Sequence, residues 1–235
     1  MSEAEPAQEV STQEGYARWA SSYDQQINAL IVLEEAHIDQ LLAQLSFSKV
    51  LDVGTGTGRH ALKLARTGVH VTALDQSAEM LAVAQEAARR EELSIDFQLA
   101  SLEDGLPFAE QQFDLVICGL MLCHVPKLAH AIQEFARVLQ PGGHLLITDF
   151  HPDSVRYGWR TGFRQADVNY LLPNMPHTRS DYLEPLASNG LTLLQVIDLP
   201  LRALPARPYR PPLTEEFIQI HGELLFCLLL LAQKE

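Results

Sequence analysis

The chain of 235 residues sets seventeen lysines and arginines against thirty aspartates and glutamates, a formal net charge of -13. With 47% hydrophobic and 20% charged residues it can bury a sizeable core, which excludes disorder as a description of the whole chain. The acidity opposes phosphate backbones, so nucleic acid is not the expected partner. Three cysteines (Cys118, Cys123, Cys227) with no CxxC pair exclude a disulfide scaffold and point to a reducing cytoplasm.

Residues 1–15 are polar and acidic and read as a mobile tail without signal-peptide order. From residue 16 a single domain runs to residue 235. Residues 16–45 read as N-terminal cap helices, with Ile38, Leu41, Leu42 and Leu45 on one apolar face. KVLDV (49–53) is a buried strand that runs into the glycines of GTGTG, and the helix after it ends near Gly68. A second strand spans 69–75, Ser77 caps a helix, and strands follow at 95–100 and 113–118. A helix over 129–139 leads to Pro141-Gly142-Gly143, read as a tight turn, and to a strand over 144–150. The rhythm then breaks across 151–176. Thr178 and Asp181 form a capping-box pattern for a helix that closes an insert over 151–190. Strands at 191–198 and 224–232 bracket a proline-punctuated stretch and a short helix from Thr214. The last apolar run is too short to span a membrane. Alternating strands and helices imply an α/β fold built on a parallel sheet with helices on both faces.

VLDVGTGTG (50–58) is the most informative segment. Closely spaced glycines at the carboxyl end of a parallel strand let the backbone approach a ligand. A dinucleotide loop of the form G-x-G-x-x-G would need glycine at 59, where Arg59 stands. The spacing is G-x-G-x-G instead, preceded by Asp52 and followed, one strand later, by Asp75.

With ALDQSAEML (73–81), EDGLPFAEQQFDLVICGLMLCHV (103–125) and VLQPGGHLLITD (138–149), this loop resembles the class I S-adenosylmethionine-dependent methyltransferases, in the small-molecule branch called type 11. The resemblance implies a doubly wound, Rossmann-like sheet of seven strands, mostly parallel, with the last strand antiparallel. It implies S-adenosylmethionine as cofactor. Gly54, Thr55, Gly56 and Gly58 would border its methionine and ribose, Asp52 its amino group, and Asp75 the ribose hydroxyls. Gln76 and Met80 would lie near the adenine. The Asp that often follows strand three in the family is absent here, so Ser101, Leu102 or the backbone would take its place. Cys118 would flank the transfer site. Tyr16, with Ala20, Tyr23 and Asp24, matches a helix that closes over the cofactor.

Where an acceptor hydroxyl must lose a proton, a base is needed, and His124, His151 and His177 fall near the expected active edge. Tyr157, Tyr170 and Tyr182 are candidates for acceptor contact. The insert over 151–177 is expected to wall the acceptor pocket, with His151 or His177 facing the sulfonium. The spacing of Cys118, Cys123 and His124 is not that of a zinc site, so no metal is expected. The Asn/Asp-Pro-Pro-aromatic motif of adenine- and glutamine-modifying enzymes is absent after residue 118. A small-molecule acceptor with a planar or apolar body is therefore expected, methylated on O, N or C. A non-catalytic cofactor-binding module and an RNA or protein methyltransferase are the alternatives. The oligomeric state is open.

Overall fold

The computed structural model describes residues 7–206, 209 and 213–235. The chain opens with β1 (Ala7–Glu9) and α1 (Thr12–Trp19), whose first turn is capped by the Ser11 hydroxyl on Glu14 N at 3.2 Å. After a 3-10 turn (Ala20–Gln25), Asn28 caps α2 (Ala29–Leu42). Then β2 (Lys49–Val53), α3 (Arg59–Ala65), β3 (His70–Asp75), α4 (Ala78–Arg90) and β4 (Ile95–Leu99) alternate. β5 (Phe113–Gly119), α5 (Leu128–Val138) and β6 (Leu139–Phe150) follow, then α6 (Pro152–Tyr157), β7 (Gly162–Gln165) and β8 (Val168–Leu171). The expected capping box of Thr178 and Asp181 starts α7 (Arg179–Ser188), and β9 (Leu191–Pro200), α8 (Glu215–His221) and β10 (Leu225–Lys234) complete the chain.

Seven strands form the main sheet in the order β4-β3-β2-β5-β6-β10-β9. All run parallel except β10, which lies antiparallel between β6 and β9. Strands of such a sheet are covered on both faces and read as continuous apolar runs rather than alternations. Residues Phe226 to Ala232 are all buried for that reason. One face packs α2 and α3 through Leu33, Ile38, Ala61 and Leu64; the other packs α5 and α7 through Ile132, Phe135, Tyr182 and Leu186. From β2 the chain moves outward to β4, then returns to place β5 on the other side of β2. The loops leaving β2 and β5 therefore diverge at the switch point, where a crevice opens. Among the described residues no helix is long and apolar enough to cross a membrane.

Three local expectations are corrected. Residues 1–6 of the expected tail lie outside the described residues. Residues 7–15 are built into the fold, because β1 pairs in parallel with β8 and Ser11 starts α1. Pro141-Gly142-Gly143 lies inside the span of β6 rather than ahead of it. The pairing with β5 jumps there from Phe113–Leu139 to Leu115–His144, around a left-handed Gly142 at φ +78°. The insert is not irregular: β7 and β8 form a hairpin, and with β1 they make a second sheet in the order β1-β8-β7.

Candidate active site

The glycine loop is shaped by backbone that other residues resist. Gly54, Gly56 and Gly58 all have positive φ (+71°, +57°, +88°). Leu74 O of β3 pins the loop by accepting from Gly54 N at 2.8 Å and Thr55 N at 3.0 Å. A Cβ on Gly54 would come within 2.7 Å of Met121 in the loop after β5, whereas a Cβ on Gly56 would stand in open space. Asp75, at the end of β3, accepts from Gly56 N and Ser77 N, both at 2.8 Å. Burial raises its carboxyl above the usual range, and those N–H groups oppose the rise.

Around these groups lies a cleft of about 420 Å³. Its slot is apolar (Val53, Leu74, Met80, Leu102) and carries Asp75, Gln76, Ser101 and Glu103 as polar groups. α1 closes the opposite side with Ser11, Thr12, Gln13 and Tyr16. Tyr16 is fixed by His124. The ring Nδ1 lies 2.6 Å from Pro173 O, which can only accept, so Nδ1 carries the proton. Nε2 then accepts from the Tyr16 hydroxyl at 3.0 Å. Burial holds the His124 imidazole below its ordinary value, which favours this neutral state. A second tie runs from the Thr57 hydroxyl to Asp24 at 2.9 Å, joining the glycine loop to the turn after α1.

Of the residues expected at the site, Tyr16, Gly54, Gly56, Asp75, Gln76, Met80, Ser101, Leu102 and His124 line this cleft. Asp52, Thr55, Gly58 and Cys118 stand behind it. Asp52 is 1% exposed and accepts from the Thr55 hydroxyl at 2.7 Å and Ala61 N at 3.0 Å, so it ties the loop to α3. Cys118 is buried in the sheet core, its thiol pushed up by burial, and Gly119 and Met121 line the cleft in its place. Arg59, where a dinucleotide loop wants glycine, pairs with the buried Glu34 of α2.

The two insert histidines are corrected outright. His151 caps α6, with Nδ1 accepting from Asp153 N at 3.1 Å and Nε2 lying 3.3 Å from Asp198, so both ring nitrogens are engaged away from the cleft. His177 donates to Val125 O at 2.9 Å and meets the Tyr182 ring edge-on; it does not line the cleft either. The insert reaches the cleft through Pro173 and Met175 instead. Its aromatics line a separate groove of about 1040 Å³, where Trp19 stacks on Phe163 and Phe163 on Tyr170. Tyr157 also lines the groove, half exposed beside His221, while Tyr182 is buried.

One residue was missed by the sequence reading. Asp149, near the end of β6, is fully buried, and accepts from the Tyr182 hydroxyl at 2.8 Å and from Phe150 N at 2.8 Å. Burial pushes its carboxyl up to about 6, against hydrogen bonds from Tyr182, Phe150 N and Cys123. It lines a void of about 30 Å³ that shares Tyr16, Tyr23 and Leu120 with the cleft and Trp19, Phe150 and Thr161 with the groove. A lone acid in the largely apolar run LLITDF was the signal available.

Comparison with known proteins matches residues 51–147 to a methyltransferase domain family. The ubiquinone biosynthesis O-methyltransferase of Alkalilimnicola ehrlichii is 31% identical over 176 residues, 74% of this chain and 70% of that protein. The chain belongs to the class I S-adenosylmethionine-dependent methyltransferases, type 11. The demethylmenaquinone methyltransferase of Tropheryma whipplei is 32% identical over 75% of this chain and 72% of its own length. A Xylella fastidiosa ubiquinone biosynthesis O-methyltransferase is matched over only 57% of its length. The fold is shared with magnesium protoporphyrin IX methyltransferase from Synechocystis (TM-score 0.65, 20% identity, 94% of each chain). It is shared too with geranyl diphosphate C-methyltransferase from Streptomyces coelicolor (TM-score 0.66, 18% identity, 86% of this chain and 81% of that one).

The methyltransferase's cleft suits its cofactor. It offers open space beside the Gly56 backbone, a carboxylate set at the end of β3, and an apolar slot between Leu74, Met80 and Leu102. When bound, S-adenosylmethionine supplies an electrophilic methyl group on a sulfonium. Gly56→Val is expected to raise the cofactor Kd at least tenfold by calorimetry, while the left-handed backbone costs about 1–2 kcal/mol of stability. His124→Phe leaves the Tyr16 hydroxyl without its acceptor, a loss of about 1–3 kcal/mol. It is expected to raise the cofactor Kd about tenfold through a looser α1, and unchanged affinity would show that α1 closes without this bond.

Proposed function

We propose that this methyltransferase modifies a small acceptor with a planar hydroxylated ring and an apolar body. Asp75 would hold the ribose hydroxyls of the cofactor, Gln76, Met80, Ser101 and Leu102 its adenine, and the Gly54–Gly58 backbone its methionine end. The observation that carries the acceptor class is the aromatic groove beside the cleft, which shares wall residues with the void at Asp149. Stacked and edge-on rings favour a flat partner. Two relatives are named a ubiquinone biosynthesis O-methyltransferase and a demethylmenaquinone methyltransferase, and a ring with an apolar substituent suits a groove of this make-up. The net charge of -13 argues against polyanionic acceptors. We place the reaction in the cytoplasm, where three buried, unpaired cysteines stay reduced.

The test incubates the enzyme with methyl-labelled cofactor and, separately, a small-molecule extract, bulk RNA and bulk protein. Label is expected in the organic-soluble fraction of the extract. Label in RNA or protein alone would overturn the reading.

A further inference from the structure

We propose that Asp149 takes the proton from the acceptor's hydroxyl, and that the acceptor reaches it with its apolar body lying in the aromatic groove. The inference rests on the acceptor class proposed above, since a hydroxyl must arrive for its proton to leave. Three observations carry it. The void that Asp149 lines lies between cleft and groove, sharing wall residues with both, and its volume of about 30 Å³ holds one water-sized group. The hydrogen-bond partners of Asp149 are uncharged donors: the Tyr182 hydroxyl, Phe150 N, and the thiol and backbone N–H of Cys123. A buried carboxylate without a balancing cation is costly to keep, so packing alone does not account for it. Finally, the other titratable groups near the void are unsuited to accept a proton. Nε2 of His124 is held by Tyr16, and burial keeps Tyr16, Tyr23 and Cys123 protonated. Two carboxylate oxygens offer about four acceptor positions, and of their four donors the Cys123 thiol is the weak one that an acceptor hydroxyl would displace.

The step balances without another reactant. The acceptor's O–H bond breaks and its proton goes to an Asp149 oxygen. The oxygen's electron pair forms the new O–CH3 bond as the S–CH3 bond breaks with its pair left on sulfur. The proton leaves to water when the product departs. Trp19, Trp159 and Phe163 would hold the acceptor body, and Trp159 meets Phe226 edge-on at 5.1 Å.

Asp149→Asn keeps the shape and removes the base. With methyl-labelled cofactor and the small-molecule extract, the variant is expected to label its product about 100-fold more slowly or worse. Asp149→Glu should regain part of that rate. S-adenosylhomocysteine should bind Asp149→Asn by calorimetry within twofold of wild type. The chain's two tryptophans, Trp19 and Trp159, both line the groove, so their fluorescence reports on it. Octyl gallate, a hydroxylated ring with an apolar tail, should quench both proteins alike. If the wild type labels no small molecule, the acceptor class itself fails. If it labels and Asp149→Asn matches it within threefold, the Asp149 assignment is overturned. Loss of S-adenosylhomocysteine binding or of quenching in the variant would also overturn it, by showing a structural role. Octyl gallate that leaves wild-type fluorescence unchanged would overturn the groove as the acceptor's seat.

Discussion

Asp75→Ala is expected to weaken S-adenosylmethionine binding by about 100-fold or more. Its carboxylate stands at the carboxyl end of β3 and lines the cleft, where it can accept from two adjacent hydroxyls. Hydrogen bonds to a charged acceptor are worth about 1.5–3 kcal/mol each, so losing two removes at least 3 kcal/mol. A second loss compounds the first. The same carboxylate holds Gly56 N and Ser77 N at 2.8 Å, so alanine also frees the glycine loop and the start of α4. Asp75→Asn separates the two effects, because its amide oxygen still accepts from one N–H while the charge is gone. Calorimetry with the cofactor and with S-adenosylhomocysteine should rank wild type over Asn over Ala. Wild-type affinity in a folded Asp75→Ala protein would mean that the ribose is held elsewhere.

The parts of this molecule that could be read from its sequence are those where one local rule decides the outcome. β2, the glycine loop and β3 follow from apolar runs, from residues that tolerate positive φ, and from an acid at a strand end. The Thr178 capping box is likewise a four-residue affair. What stayed hidden depends on partners far along the chain. β1 is three exposed residues held extended by pairing with β8, more than 160 positions away. The β7–β8 hairpin turns at Ala166 and Asp167, with a left-handed Ala166 (φ +52°) where Gly or Asn would have signalled the turn. His151 and His177 looked catalytic because they follow strand and loop ends. Both are used as local hydrogen-bonding groups, one capping a helix and one closing on a carbonyl. Asp149 was passed over for the opposite reason. Its importance lies in Tyr182, 33 residues on, and in the void between two cavities, neither of which has a signature in LLITDF.

Asp149→Asn is expected to stabilise the protein near neutral pH while it costs activity, and the pH dependence identifies the cause. Folding raises this carboxyl from 3.8 to about 6, chiefly by burial. The unfolded chain therefore gives up its proton at lower pH than the folded one. Between about pH 4 and pH 6 the unfolded state binds fewer protons, and stability falls as pH rises. Above about pH 7 the full penalty is present, about 3 kcal/mol for a shift of roughly two units. Below pH 4 both states are protonated and it vanishes. The titratable groups that face Asp149 are Tyr16 of α1, Cys118 of β5, Cys123 of the turn after it, Tyr182 of α7 and Cys227 of β10. Burial pushes every one of them upward, so none changes charge across this window. Urea unfolding at pH 8 should then show Asp149→Asn more stable than wild type by about 1–3 kcal/mol, the lower figure allowing for imperfect amide hydrogen bonds. At pH 4 the two curves should nearly coincide. A variant less stable than wild type at pH 8 would mean that the ionised carboxylate supports the fold, and would remove the reason to see it as a group kept for chemistry.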